Sequence, residues 1–95
     1  MRVISNKALV DFAEDNEQAA KPLQAWRKVI ETNDFANFAA LKTLMNATDR
    51  VGDFYVFDIS GNKYRVVAAI HFDKQRLYVR HVFTHQEYDQ WSAKR

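Results

Sequence analysis

The sequence predicts an α+β fold in which N-terminal helices pack on one face of a small antiparallel sheet and a short helix ends the chain. Residues 5–46 place apolar side chains at helical spacing, whereas residues 53–84 are rich in Val, Ile, Tyr and Phe. The tetrapeptide T-H-Q-E, beginning at Thr84, has the pattern of a capping box and predicts a helix through Trp91. A chain of 95 residues has the length of one folded unit, so we expect residues 1–95 to form a single domain.

The composition excludes several classes of protein. There is no Cys, which rules out a disulfide scaffold, thiol catalysis and cysteine-ligated zinc. Three His residues without an H-x-x-x-H pair give no metal site, and two Gly residues leave no room for a glycine-rich phosphate loop, so we expect no cofactor. No apolar run approaches the ~20 residues of a membrane span, and the N-terminus lacks a signal-peptide block. We therefore expect a soluble, cytoplasmic protein with no membrane partner.

The helical half divides into three predicted helices. The first covers 6–15, the second has Pro22 in its first turn, and the third is capped by Asn37. Residues 3–4 could form a short strand, and residues 46–53 read as a loop.

The strand half predicts three strands over 54–59, 63–72 and 77–84. A turn at Gly61-Asn62 sets the first register, and a turn at 73–76 sets the second if Phe72 pairs with Leu77. The predicted pairs are Ile59 with Tyr64, Phe57 with Val66, Tyr55 with Ala68, Ile70 with Val79, Ala68 with His81, and Val66 with Phe83. One face then becomes almost entirely apolar and is expected to pack against the helices.

The opposite face is predicted to gather Arg65 and Arg80, with Lys63 at the rim. Paired guanidinium groups match phosphate oxygens, although the plainer interpretation is two solvated arginines. The same register places Asp58 opposite Arg65 as a cross-strand ion pair. Val56, Val67 and Val82 would also lie there, so a non-catalytic interaction module that uses this face to bind a partner helix is an alternative.

His85 and Tyr88 lie one helical turn apart at the start of the last helix. His85 is a candidate general acid or base, or a residue that merely tolerates exposure at a helix start. Tyr88 is a candidate for stacking on a base, or a residue that packs the helix on the sheet. The formal net charge is +2, and the excess lies in residues 51–95, with seven basic and five acidic residues. This bias is weak support for a nucleic-acid partner.

Three segments together resemble the HigB family of type II toxin–antitoxin toxins: MRVISNKAL, YVFDISGNKYRVV and YVRHVFTHQEYD. G-N-K-Y-R, followed about twenty residues later by T-H-x-E-Y-D, is the most specific part of this signature. The resemblance covers essentially the whole chain. One departure is Phe83, where related sequences often carry Gly.

The resemblance implies a RelE-like fold and a metal-independent mRNA interferase, an endoribonuclease that cuts messenger RNA on the ribosome. It also implies a cognate HigA-like helix-turn-helix antitoxin, with operator DNA bound only through the toxin–antitoxin complex. Its implied catalytic residues are Arg65, Arg80, His85 and Tyr88, and its implied RNA-binding residues are Lys63, Arg65 and Arg80. A ribosome-independent RNase is a second alternative.

The chemistry asked of these residues is modest because RNA carries its own nucleophile, the ribose 2′-OH. We expect Arg65 and Arg80 to stabilise the charged phosphate. His85 would act as acid or base, Tyr88 would stack on or orient the nucleotide, and Lys63 would steer the backbone. The roles of His85 and Tyr88 could be exchanged.

Overall fold

A computed structural model describes residues 1–94, and within them the chain forms five strands and four α-helices. The elements in chain order are β1 (Arg2–Ile4), α1 (Asn6–Asp15), α2 (Ala20–Glu31), α3 (Phe38–Leu44), β2 (Asp49–Val51), β3 (Phe54–Ile59), β4 (Tyr64–His71), β5 (Arg76–Thr84) and α4 (His85–Ala93). The predicted first helix is confirmed. The Asn37 side chain caps α3 by accepting a hydrogen bond of 2.9 Å from the Ala40 N–H.

The strands form one sheet in the order β1-β5-β4-β3-β2. β2, β3, β4 and β5 pair antiparallel, but β1 pairs with β5 in parallel. The expectation of a purely antiparallel sheet is therefore wrong. A parallel neighbour requires a long crossover, and here every described element except α4 lies between β1 and β5 in the chain.

The core lies between the helices and one face of the sheet. Trp26 of α2 meets Phe57 of β3 edge to face at 5.1 Å between ring centroids, and Phe12 of α1 meets Tyr64 of β4 at 5.7 Å. Leu9, Leu23, Ile30, Leu41, Val66 and Leu77 are fully buried in the same cluster. Burying apolar area of this kind is the dominant favourable term in folding.

The β3–β4 hairpin has the predicted register, with Ile59 opposite Tyr64 and Asp58 opposite Arg65. Its turn differs in detail, because positive φ occurs at Ser60 and Gly61 rather than at Gly61 and Asn62. Asn62 was expected only to form the turn, but its main-chain and side-chain oxygens both accept hydrogen bonds from Arg65.

The predicted register between β4 and β5 is wrong. Ile70 pairs with Leu77, and not with Val79. The reason is the connection: residues 72–74 form a 3-10 turn, and Gln75 follows in the left-handed conformation with φ 52°. The Gln75 amide holds this turn by donating to the carbonyl oxygens of Phe35 and Phe72.

A β-bulge changes the register again at Arg80. Ala68 pairs with Val79 and Val67 pairs with His81, which leaves Arg80 as the extra residue of β5. An extra residue reverses the alternation of the side chains that follow it. The sheet faces predicted for four residues of β5 are therefore wrong. Val82 and Thr84 lie on the core side, whereas His81 and Phe83 lie on the opposite face.

The strand β2 was predicted as loop. It has only three residues, at the edge of the sheet, and its first two are exposed. A strand this short offers no alternating pattern that a sequence could reveal.

The face of the sheet opposite the core, called the outer face, carries Arg65, Val67, Ala69 and His71 of β4. Helix α4 packs on part of it, where Trp91 contacts the rings of Phe54, His81 and Phe83. Val56 and Val67 are consequently buried, and Val82 packs against the core. The expectation that these valines form an exposed surface for a partner helix is wrong.

No helix among residues 1–94 is both long enough and apolar enough to cross a lipid bilayer.

Candidate functional site

A groove of about 500 Å³ lies where the β3–β4 turn meets the start of α4. This volume is within the range of roughly 300–1,000 Å³ that is typical of ligand sites. Its lining comes from three separate parts of the chain: Gln18, Asn62, Lys63, Tyr64, Thr84, His85 and Gln86. The groove brings together Lys63 and His85, two of the residues that the sequence indicated.

Two sets of hydrogen bonds hold the start of α4 beside this turn. Thr84 and Glu87 form the predicted capping box, in which the Glu87 carboxylate accepts from the Thr84 N–H at 2.8 Å and the Thr84 hydroxyl accepts from the Glu87 N–H at 3.2 Å. The His85 N–H then donates to the Lys63 carbonyl oxygen at 2.9 Å. The two residues are thus held together through the backbone, independently of their side chains.

Arg65 is a buried residue whose three guanidinium nitrogens all have partners within the chain. Nε forms an ion pair with Asp58 at 3.0 Å. Nη1 donates to the carbonyl oxygens of Asn62 and Tyr64, and Nη2 donates to Asn62 Oδ1 at 2.7 Å. A side chain that is 9% exposed and bonded in this way is arranged to hold its neighbours in place.

His85 is about half exposed at the groove. Its Nδ1 lies 3.4 Å from Nη2 of Arg65, and its Nε2 lies 3.2 Å from a carboxylate oxygen of Asp89, one turn along α4. Arginine can only donate and a carboxylate only accept, so the neutral tautomer protonated at Nε2 satisfies both contacts. Nδ1 is covered by the buried Arg65, whereas Nε2 contacts an exposed carboxylate, so a substrate could reach Nε2 only by displacing Asp89.

Tyr88, three residues along α4 from His85, is not one of the residues that line the groove. The Arg65 guanidinium carbon lies 5.5 Å from the centre of its ring, and the Trp91 ring lies 5.9 Å away on the same helix. Arg65 thus contacts both His85 and Tyr88, and it links β4 to the first turn of α4.

Arg80 lies elsewhere on the outer face. Its guanidinium carbon is 5.4 Å from the ring centre of Tyr78, whose partner on β4 is Ala69. Ala69 is four residues from Arg65, a distance of about 13 Å along a strand. The expected pair of neighbouring guanidinium groups at Arg65 and Arg80 is therefore not formed, because the bulge and the Tyr78 ring direct Arg80 away.

Two residues at the site were not singled out from the sequence. Asp89 was visible as the i+4 neighbour of His85, the spacing at which helical side chains meet. Asn62 was read only as a turn residue, and nothing local indicated that both of its oxygens would bind Arg65. Asp58 was expected opposite Arg65, and the ion pair is confirmed.

Comparison with known proteins shows which class of protein this chain belongs to. Residues 19–91 match the family model HigB_toxin, described as the RelE-like toxic component of a toxin–antitoxin system. The chain belongs to this HigB toxin family. It is 38% identical over 96 residues to the mRNA interferase toxin HigB of Escherichia coli (strain K12), covering 98% of this chain and 92% of that relative.

Other relatives agree with this assignment. The mRNA interferase HigB of Shigella flexneri has the same 38% identity and coverage. A further mRNA interferase HigB, from Escherichia coli O6:H1, is 32% identical over 92 residues, which cover 94% of this chain and 89% of the relative.

Proposed function

We propose that this chain is an mRNA interferase, a metal-independent endoribonuclease whose reaction takes place in the groove beside His85. The observation that carries the proposal is the half-exposed His85 imidazole, held beside Lys63 in a chain that belongs to a toxin family. In this reaction the ribose 2′-OH attacks the adjacent phosphorus, and the bond to the leaving 5′-oxygen breaks.

In this proposal Nε2 of His85 exchanges the proton once the RNA displaces the exposed Asp89 carboxylate, because Nδ1 faces Arg65. General acid–base catalysis of this kind contributes about 10²- to 10⁴-fold. Lys63 lies in the groove lining and supplies positive charge for the backbone phosphate. Tyr88 orients the nucleotide or shares the proton transfer with His85.

Arg65 has a different role from the one expected. Since its donors are occupied and its side chain is buried, it positions His85 and Tyr88 and does not bind the scissile phosphate. Arg80 contributes to RNA binding at a distance from the reacting groups, since its guanidinium lies over Tyr78.

The proposal extends to the setting of the reaction. The substrate is messenger RNA on the ribosome, in the cytoplasm, and the modest net charge of +2 suits an RNA presented by a ribosome better than tight binding to free RNA. A cognate HigA-like helix-turn-helix antitoxin neutralises the toxin, and operator DNA is bound only through that complex.

The test is controlled expression of His85→Ala and Lys63→Ala in growing cells, with growth and mRNA cleavage as readouts. We expect His85→Ala to abolish growth arrest and cleavage, and Lys63→Ala to weaken both. Gln90→Ala is the matched control, because this exposed residue lies on the same helix away from the groove. Unchanged cleavage by a folded His85→Ala variant would overturn the assignment.

Ribosome dependence needs a separate experiment. Purified protein is incubated with a messenger RNA alone and with the same RNA on programmed ribosomes. We expect cleavage only on ribosomes. Equal cleavage of the free RNA would select the ribosome-independent RNase, and growth arrest with intact mRNA would select the non-catalytic interaction module.

A further inference from the structure

The outer face carries a second group of cations, away from the groove. Arg2 of β1 pairs with Arg76 of β5, and Arg76 also pairs with His71 of β4. Residues that are direct partners in a sheet project to the same side, and the alternate residues Val3 and Leu77 are buried in the core. Arg2, Arg76 and His71 therefore all lie on the outer face.

Arg80 completes this group. Its guanidinium lies over the Tyr78 ring, and the Tyr78 ring meets the His71 ring edge to face at 5.4 Å between centroids. The three arginines are exposed, while Tyr78 is half buried. We call Arg2, Arg76 and Arg80 the arginine patch.

The charge of the patch is not compensated locally. The strands β1, β4 and β5 contain no Asp or Glu. Within residues 1–94 no acidic group forms an ion pair with any of the three arginines. In the adjoining turn, Asp73 and Lys74 are both exposed and offset each other. A protein of net charge +2 thus places three unpaired cations on one end of one face.

We propose that the arginine patch binds single-stranded RNA that extends beyond the groove, a subsite that rests on the proposed ribonuclease function. Three arginines complement backbone phosphates through their guanidinium groups. The adjacent Tyr78 and His71 rings offer surfaces on which bases stack, and the combination of cations and aromatic rings is typical of single-strand binding. A purely electrostatic contact with a folded duplex would not use the rings.

The distance between the arginine patch and the groove determines which nucleotides of the bound RNA the patch contacts. Lys63 directly precedes β4 and His71 ends it, eight residues or about 26 Å farther along the extended chain. The patch therefore contacts nucleotides remote from the scissile bond, and it changes RNA affinity without changing the chemical step.

The experiment measures binding of a fluorescent 2′-O-methyl RNA of about twelve nucleotides, within the range of single-strand site sizes. The methyl group blocks the nucleophile, so binding is observed without cleavage. The variant is the triple substitution Arg2→Gln, Arg76→Gln and Arg80→Gln. The control is the triple substitution Lys21→Gln, Lys28→Gln and Lys42→Gln, which removes the same charge from α2 and α3.

Each phosphate contact to a single strand contributes about −0.7 to the slope of log affinity against log salt concentration. We expect the slope of the patch variant to be less negative by about 2, so that between 50 and 200 mM salt the wild type loses about 20-fold more affinity than the variant. The control is expected to match the wild type. Tyr78→Ala is expected to lose at least about fivefold in affinity without a change of slope, and Tyr78→Phe to retain binding.

Equal losses in the patch and control variants would overturn the proposal, because net charge would then account for binding. The proposal also fails if the patch variant binds RNA as the wild type does. Loss of neutralisation by the antitoxin in that variant would then show that the patch contacts a protein. The proposed function fails separately: His85→Ala is expected to bind the RNA normally and not to cleave, whereas cleavage by that variant contradicts the groove assignment alone.

Discussion

Nη2 of Arg65 lies 3.4 Å from Nδ1 of His85, although the two residues are twenty positions apart in the sequence. The same guanidinium group pairs with Asp58 and contacts the Tyr88 ring. One buried cation thereby determines where the imidazole lies and which of its nitrogens faces outward. The relationship makes Arg65 the structural support of the candidate site, and in the proposed function the RNA is contacted by the exposed residues instead.

Replacing Arg65 is expected to destabilise the fold. Arg65→Met leaves Asp58 and the Asn62 oxygens without their partner, and we expect a loss of about 2–3 kcal/mol in the free energy of unfolding, less than for a fully buried pair because Asp58 is partly exposed. Urea unfolding measures it. Arg27→Met is the control, since Arg27 pairs with Glu31 on the half-exposed surface of α2 and should lose less than about 1 kcal/mol. Equal losses would show that Arg65 is not a structural residue.

Asp89 is expected to affect activity more than stability. Asp89→Asn removes the anionic partner of Nε2, so we expect cleavage to fall roughly tenfold, part of the 10²–10⁴ that acid–base catalysis contributes. The melting temperature should remain unchanged because the residue is exposed. Asp11→Asn removes a comparable exposed i,i+4 partner from α1 and should leave cleavage at the wild-type rate. If both variants cleave equally well, Asp89 does not position His85.

The capping box is expected to connect stability with activity. Thr84→Ala removes the side-chain acceptor of the Glu87 N–H and should cost about 1 kcal/mol. Because His85 follows directly, we also expect slower cleavage. Thr43→Ala is the control, since the Thr43 hydroxyl donates to a carbonyl oxygen within α3, far from the groove, and adds little stability. Denaturant unfolding and a cleavage assay on both variants test this.

The stability of the protein should fall in mild acid because of His81. Burial beside Phe83 and Trp91 lowers the pKa of His81 below its usual 6.5. As the pH falls through 6.5 the unfolded chain takes up this proton before the folded one, so the His81 contribution is complete above that pH and declines below it. Urea midpoints at neutral pH and in mild acid should show a smaller decrease for His81→Phe than for the wild type. An identical decrease would contradict the prediction.

The candidate site was only partly predictable. Its residue types were visible because the capping box and the G-N-K-Y-R turn are local patterns. The roles of Arg65 and Arg80 were not, because they depend on which side chains lie across the strands. Asn62 and Asp89 became partners in the site only when the turn and the helix were brought together.

Patterns that act over a few residues were enough to predict the first helix, the Asn37 cap of α3, the β3–β4 register and the Thr84–Glu87 cap. The parallel pairing of β1 with β5, the register of β5 and the bulge at Arg80 follow from contacts between distant parts of the chain. The two groups differ in how far apart in the chain the stabilising partners lie. A cap or a tight turn is stabilised by neighbours in the chain, whereas the alignment of β5 depends on Gln75 reaching Phe35, forty residues away.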